Sequence, residues 1–478
     1  MSVQPIVLNV VSVFVVGYIA SSLGQDDYGK FVLAFSMIAM FLPICSFGLR
    51  AVAVRDMAAN RDNARVLVGK YFVLGLLLSF ASFVLLVIVV NSLQYPAITK
   101  LVIYIAGLNL FLRTIGSTFF DIFQAFEKMK YIAYGNMISG VLLTLFSVIV
   151  IYFGYRLIGI TLVYVGGSVA LVVAMAIFYR IHFRFLKLSI DVPFWRERLR
   201  QGFPFFVTAM LWMVNMRICV VLLSKMTDDT FVGVYGASFN IVSRLYIFPD
   251  SIGTAIFPTI AFLYASKNMA ELGSLSEKFF RYTMIMGLPF SLGVALLSPR
   301  IIDLIYGTQY ASSAASLSIL AAGIPFLFMI GLFAFALGAV HRQGQVVKAN
   351  LIATALNLAI TVLLIPPFRE LGAAAGYAAS QLITSALLFY YFRRFLAFRL
   401  DPGGIAKIIL ANAVMSAAVY VVKDMNLLVA VFAPAGLYLG LIVALRVVTA
   451  EDLALIKDAL FKKEITVSDP SAGKTASQ

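Results

Sequence analysis

Close to continuous apolar runs of membrane-spanning length constrain this chain more than any motif in it. About fourteen segments reach the roughly 17–25 residues needed to cross a bilayer. They lie at 5–23, 31–49, 66–90, 99–123, 131–153, 157–179, 203–224, 231–261, 279–298, 313–340, 346–365, 371–392, 404–422 and 427–448. Such runs are too long and too evenly apolar for barrel strands, which alternate, so they are expected to be helices that satisfy their own backbone hydrogen bonds. Composition agrees: 62% of the 478 residues are hydrophobic and 12% are charged, against about a quarter charged in a soluble domain. The expectation is an all-α polytopic membrane protein. The first run, 5–23, lacks a basic leading region and is longer than the core of a typical signal peptide, so it is read as a mature span.

The connections carry the orientation. Those following odd-numbered segments hold a single base each: Lys30, Lys100, Arg156, Lys225, Arg300, Arg369 and Lys423. Most other Lys and Arg residues lie after the even-numbered segments and at the C-terminus, which puts those connections and both termini on the cytoplasmic side of a cell membrane. The net charge of +15 is thereby read as an orientation signal and not as a nucleic-acid footprint. Cys45 and Cys219 fall inside spans and read as small packing residues rather than a disulfide or metal site.

The chain repeats itself. Asp26-Asp27-Tyr28-Gly29 opens an apolar run that contains Pro43 and Gly48 and closes on Arg50 and Arg55. About 200 residues later Asp228-Asp229 opens a second run through Gly233 and Tyr235 to Arg244, Pro249 and Pro258. Gly29 and Phe31 align with Gly233 and Tyr235 at one offset, and Asn136 aligns with Asn350 at a similar one. An even number of helices per copy makes the copies parallel repeats, two six-helix lobes related by a pseudo-two-fold axis along the membrane normal, plus two C-terminal helices. The expected divisions are an N-lobe at 1–180, a cytoplasmic linker at 181–202, a C-lobe at 203–398, helices 13 and 14 at 399–448, and a cytoplasmic amphipathic helix with a disordered tail at 449–478. The linker is basic and aromatic, suited to the headgroup region and to anionic lipid.

Nothing in the chain suggests an enzyme. His182 and His341 sit in connections without a second ligand, and no nucleophile–base set, glycine-rich phosphate loop, HExxH or CxxC occurs. No cofactor is expected. The informative residues are arginines inside spans, Arg113, Arg217 and Arg244. A charge at the bilayer centre costs at least about 2.5–3.5 kcal/mol and therefore faces a wet cavity or a partner. Arg113 and Arg244 lie about ten or more residues from either end of their spans, roughly 15 Å or more, whereas Arg217 is about seven residues from the outer end and can partly snorkel. Asp121 and Asp250 are the candidate partners, but neither faces its own helix's arginine at a bonding spacing. Two readings stand: structural ion pairs between helices, or a cationic cavity that binds an anion. Asp121 and Asp250 lie toward the cytoplasmic ends, where a loop base can pair with them, and are the candidates for coupling to a proton or sodium gradient. Arg50 and Arg55 read as charges of the cytoplasmic end.

Three patterns carry a family likeness: Leu23-Gly24-x-x-x-Tyr28-Gly29 after the first helix, Phe47-Gly48-Leu49 with Arg55 after the second, and Val232-Gly233-x-Tyr235 in the second half. In their order and spacing the chain resembles, over residues 5–448, the polysaccharide-biosynthesis transporters. These are the O-antigen or lipid-linked oligosaccharide flippase type of the multidrug/oligosaccharidyl-lipid/polysaccharide exporter superfamily. The resemblance implies lobes that rock around a central cavity. It implies a polyprenyl-diphosphate-linked oligosaccharide as cargo, moved from the cytoplasmic to the outer leaflet, with membrane lipids, glycan polymerases or glycosyltransferases as partners. Arginine's bidentate donors suit a diphosphate. Three alternatives remain: a cation-coupled multidrug extruder of the same superfamily, a non-transporting scaffold in glycan assembly, and a membrane enzyme of that pathway.

Overall fold

The computed structural model describes residues 4–183, 187–396, 398 and 401–448, with side chains from residue 11 onward. These residues form helices joined by turns, with no strand among them. In order they are α1 (Gln4–Ser46), α2 (Leu49–Ala59), α3 (Ala64–Ser92), α4 (Ala97–Ala125), α5 (Met129–Tyr152), α6 (Leu157–Phe183), α7 (Val192–Met226) and α8 (Asp229–Arg244). There follow α9 (Ile247–Ala265), α10 (Met269–Leu296), α11 (Ser298–Tyr306), α12 (Ser313–Ala322), α13 (Ile324–Ala339), α14 (Gln343–Phe395), α15 (Pro402–Val422) and α16 (Leu427–Ala444). The expected amphipathic segment Glu451–Lys463 and the tail beyond it lie outside the described residues.

By length and composition the described residues include eleven helices able to cross a membrane, or twelve if α12 and α13, bent by 40° at Gly323, form one span. This is a multi-pass membrane protein, with fewer continuous helices than apolar segments in the sequence. Two long helices account for the difference. α1 turns at Gly24, where φ is 78°, and α14 turns at Arg369, where φ is 50°. A straight 53-residue helix would measure about 80 Å against a hydrocarbon core of about 30 Å. α14 instead folds back on itself: a Cβ on Gly376 would lie 3.2 Å from the Cα of Thr361, residues that a straight helix would hold about 22 Å apart. Pro366 and Pro367 weaken the backbone ladder just before this turn.

Two further features differ from the sequence reading. The run 231–261 forms one candidate span, Asp229–Ala265, as expected, but its helix is interrupted at Leu245-Tyr246, so that α8 ends at Arg244 and α9 starts at Ile247. The connection after Ser46 holds the short helix α2, entered through Gly48 at φ 67°. Gly48 must be glycine on two counts, since a Cβ there would also lie 2.5 Å from the Gly202 carbonyl oxygen. α2 buries Leu49, Val52, Ala53 and Met57 and leaves Arg50 and Arg55 exposed.

The expected linker 181–202 is mostly helix. Asp191 caps α7 by accepting from the Phe194 N–H at 3.0 Å, with Pro193 in the first turn. The segment is also docked rather than loose. Lys70 Nζ is 2.6 Å from Asp191, the Trp195 indole donates to the Lys70 carbonyl at 3.0 Å, and Arg198 pairs with Asp56 at 2.8 Å. Tyr71 donates to the same Asp56 carboxylate at 2.7 Å. The Lys70 ammonium, together with the Phe194 N–H, holds the Asp191 carboxyl below the usual carboxylate range.

The chain forms two compact units, Met1–Arg399 and Leu400–Gln478. In the second, α15 and α16 pack on each other. The first is organised around the crossing of α1 and α8, with α7 and α4 alongside α1 and the two arms of α14 against α7. At that crossing the backbones touch. A Cβ on Gly29 would lie 3.0 Å from the backbone nitrogen of Gly233, and one on Gly236 would lie 2.7 Å from Cγ2 of Val32. Large side chains fill the space around the crossing: Tyr28, Tyr235, Tyr306 and Tyr310 are fully buried. At the other end of α1, the rings of Phe47 and Phe206 stack with centroids 4.5 Å apart.

Candidate functional site

Between these two closures lies open volume, in two chambers that share a wall. The smaller, about 420 Å³, is lined by Arg113, Arg217 and Arg244 together. The larger, about 670 Å³, is lined by Arg113 alone of the three. Asn109, Arg113, Tyr164 and Met213 border both. Among the described residues, no Asp or Glu lines either chamber.

Each arginine comes from a different helix and is held differently. Arg113 stands on α4, one turn after Asn109. Asn109 is locked: its amide donates to the Ala106 carbonyl at 3.0 Å, and its oxygen accepts from Ser168 at 2.5 Å. Arg113 has no hydrogen bond or ion pair among the described residues, and its side chain is exposed to the cavity. Arg217, on α7, lies over the face of Phe239 at 5.4 Å, and its buried Nε has no hydrogen-bond acceptor. Arg244 is the last residue of α8 and lines the smaller chamber. Its Nε donates to Asn240 Oδ1 at 2.9 Å, and its Nη1 donates to the Ser12 hydroxyl. The break between α8 and α9 thus leaves an arginine at a helix end facing the cavity. Neither Arg113 nor Arg217 is ion-paired to a carboxylate among the described residues, and of the two open readings the structure shows no pair from Asp121 or Asp250 to these two arginines.

The two acids lie elsewhere. Asp121, in the last turn of α4, is buried and sits 3.5 Å from Arg50 Nε. Asp250 is exposed near the start of α9. Neither lines a chamber. Arg50 also donates to Gln124 at 3.2 Å, and Arg55 donates to Gln201 on α7 at 2.9 Å. These two arginines therefore tie α2 to its neighbours, away from the cavity. Cys45 and Cys219 are free and buried. Among the described residues no group of His, Cys, Asp and Glu could hold a metal ion.

Sequence reasoning missed the polar residues that accompany the arginines. Asn109 precedes Arg113, and Asn240 precedes Arg244, by one helical turn each. That repeated spacing was a usable signal. Tyr164 and Trp212, which also line the chambers, carry no comparable signal, because such residues are common in membrane helices, and Asn136 stood out only as a repeat position aligned with Asn350.

Helices packed around a central cavity, some of them broken beside it, form the fold of a polytopic membrane transporter. The solved lipid II flippase MurJ in its inward closed conformation superposes with a TM-score of 0.75 at 14% identity, over 96% of this chain and all 100% of its own. An inward-facing multidrug transporter of the MATE family superposes with a TM-score of 0.70 at 14% identity, over 82% of this chain and 94% of its own. In sequence, the capsular polysaccharide biosynthesis protein CapF of Staphylococcus aureus is 21% identical over 391 residues, 81% of this chain and 96% of its own. A Haloferax volcanii protein named "Probable low-salt glycan biosynthesis flippase Agl15" is 21% identical over 227 residues, and the match spans only 47% of this chain and 48% of its own. A model of the family described as polysaccharide biosynthesis protein matches residues 5–264, and one described as MatE matches residues 204–363. The chain belongs to the polysaccharide biosynthesis protein family.

Proposed function

We propose that this protein flips a polyprenyl-diphosphate-linked oligosaccharide across the cell membrane, from the cytoplasmic to the outer leaflet. Alternating access of the lobes carries the head group through the cavity while the lipid tail stays in the bilayer. One observation carries the reading: three arginines from three helices line a single chamber without a carboxylate. Such a wall is costly when empty and suited to a multivalent anion. A diphosphate supplies that charge, and guanidinium forks match its oxygens. The Arg50 end of the helices is taken as cytoplasmic from the distribution of basic residues. Relatives named for capsular polysaccharide biosynthesis and glycan flipping support the cargo class.

The likeness to multidrug transporters favours a second reading, extrusion of organic cations. An acid-free wall of arginines repels such cargo. The deciding experiment replaces Arg113, Arg217 and Arg244 singly with Ala in cells that depend on this chain for surface glycan. Loss of surface glycan, with lipid-linked precursor accumulating inside and membrane insertion unchanged, supports the flippase. Full surface glycan in all three variants overturns it.

A further inference from the structure

The two chambers are built for different chemistry, and we propose that the larger one is a sugar subsite read by Asn136 and Trp212. The assignment rests on the glycolipid reading of the arginine wall and divides that site in two. Arg217 and Arg244 line only the smaller chamber, and Arg113 stands on the shared border. Beyond that border the larger chamber has no other charged side chain; its polar lining consists of neutral amides and hydroxyls among aromatic rings. A diphosphate seated on all three arginines leaves its first sugars on the Arg113 side, in this chamber.

Hydrogen-bond accounting leaves unspent side-chain donors on Asn136 and Trp212, which line only the larger chamber, and on Tyr164, which borders both. Ser139 donates to the Gly167 carbonyl at 2.7 Å, and Ser168 donates to Asn109 at 2.5 Å, so both hydroxyl protons are spent. Asn136 is exposed on α5 and its amide makes no hydrogen bond among the described residues, which leaves two donors and an acceptor for a ligand. The indole N–H of Trp212, on α7, is likewise unspent, and its ring is braced by Tyr246 with centroids 5.5 Å apart. A pyranose presents a rim of hydroxyls and an apolar C–H face. An amide matches the rim, and a fixed indole covers the face with an N–H at its edge. A bare diphosphate uses neither. The chamber's volume of about 670 Å³ falls within the range of ligand-sized pockets.

The test measures binding of two probes to the purified chain in lipid nanodiscs: a polyprenyl diphosphate carrying one hexose, and the same lipid diphosphate without sugar. The wild type is expected to hold the glycosylated probe about tenfold more tightly, since sites that hydrogen-bond a hydroxyl discriminate strongly against its absence. Asn136→Ala and Trp212→Ala each remove most of that preference and leave affinity for the bare lipid unchanged, which also reports an intact fold. Trp212→Phe keeps part of it. Equal affinity for the two probes in the wild type, or full preference retained in both alanine variants, overturns the sugar subsite. So does a loss that falls equally on both probes. Arg217→Ala is expected to weaken both probes alike. If it changes neither, the diphosphate reading fails while the Asn136 result still reports on the sugar.

Discussion

Gly29 and Gly233, equivalent positions of the two sequence copies, pack backbone to backbone. A Cβ on Gly29 would approach the Gly233 nitrogen to 3.0 Å, and one on Gly233 would approach the Gly29 nitrogen to 3.2 Å. The same relation holds one turn further on, where Gly236 faces Val32. The two copies thus meet at the residues that mark them as copies. Glycine is required here by proximity, not by dihedral angle: neither has a positive φ.

Replacing Gly233 with Val wedges this crossing apart. Overpacking of a close contact costs about 1–3 kcal/mol, and the strain is relieved by opening the Gly24 end. Thiol labelling of a cysteine placed at Val32 should rise several-fold, and transport should fall at least tenfold. A variant with unchanged labelling and full transport would show that the crossing is not under compression.

Arg244→Lys keeps the charge but loses the planar fork that reaches both Asn240 and Ser12. Charge-assisted hydrogen bonds are worth about 1.5–3 kcal/mol, so affinity for a lipid diphosphate should drop by roughly ten- to a hundredfold. Calorimetry on the purified variant measures this. Lysine that binds as well as arginine would mean that point charge alone suffices.

Asp56 is shared by Arg198 and Tyr71 in a partly buried cluster. Asp56→Ala leaves Arg198 with the exposed Glu197 as its remaining carboxylate and strands the Tyr71 phenol, and should cost about 1–3 kcal/mol. The double variant Asp56→Leu, Arg198→Leu should recover part of that. Thermal unfolding in detergent discriminates: if the double variant is less stable than the single one by the full cost of a second loss, the two side chains act independently.

Asp191 provides a pH test. Its folded-state pKa is depressed by Lys70 and the Phe194 N–H. Its contribution to docking α7 is therefore fully present above the unfolded value of about 3.9 and is lost as pH falls through the lower folded value. Hydrogen exchange at 191–196 should accelerate on acidification through that range. Asp191→Asn should flatten the response, and an unaltered profile in the variant would assign the acid sensitivity to another group.

The helices were legible because apolar runs of spanning length have few other uses, and the turns near Gly24 and Pro366-Pro367 carried their own breakers. The break after Arg244 was not legible, since Leu245-Tyr246 holds neither glycine nor proline. Nor was the docking of 192–202, which depends on Asp56 and Lys70, residues more than a hundred positions away. α2 read as a loop because its apolar face is short and its termini are charged. The arginines stood out because a charge within a span is rare. Their companions Asn109, Asn136 and Trp212 did not stand out as site residues, since neutral polar and aromatic side chains are ordinary in such helices. The partner of Asp121 was expected among the loop bases, and Arg50, in the connection after the second span, is one.

Three guanidiniums around one chamber of about 420 Å³ also act on one another. Without an anion between them, like charges at such range repel, and the repulsion eases as the helices that carry them separate. An anionic guest reverses the sign and draws the same helices inward. Under the proposed function, the empty and the loaded chain would therefore rest at different spacings of α4, α7 and α8, with the cargo's own charge biasing the balance between them. A carrier wired this way grips when filled and loosens once emptied, with no separate sensor.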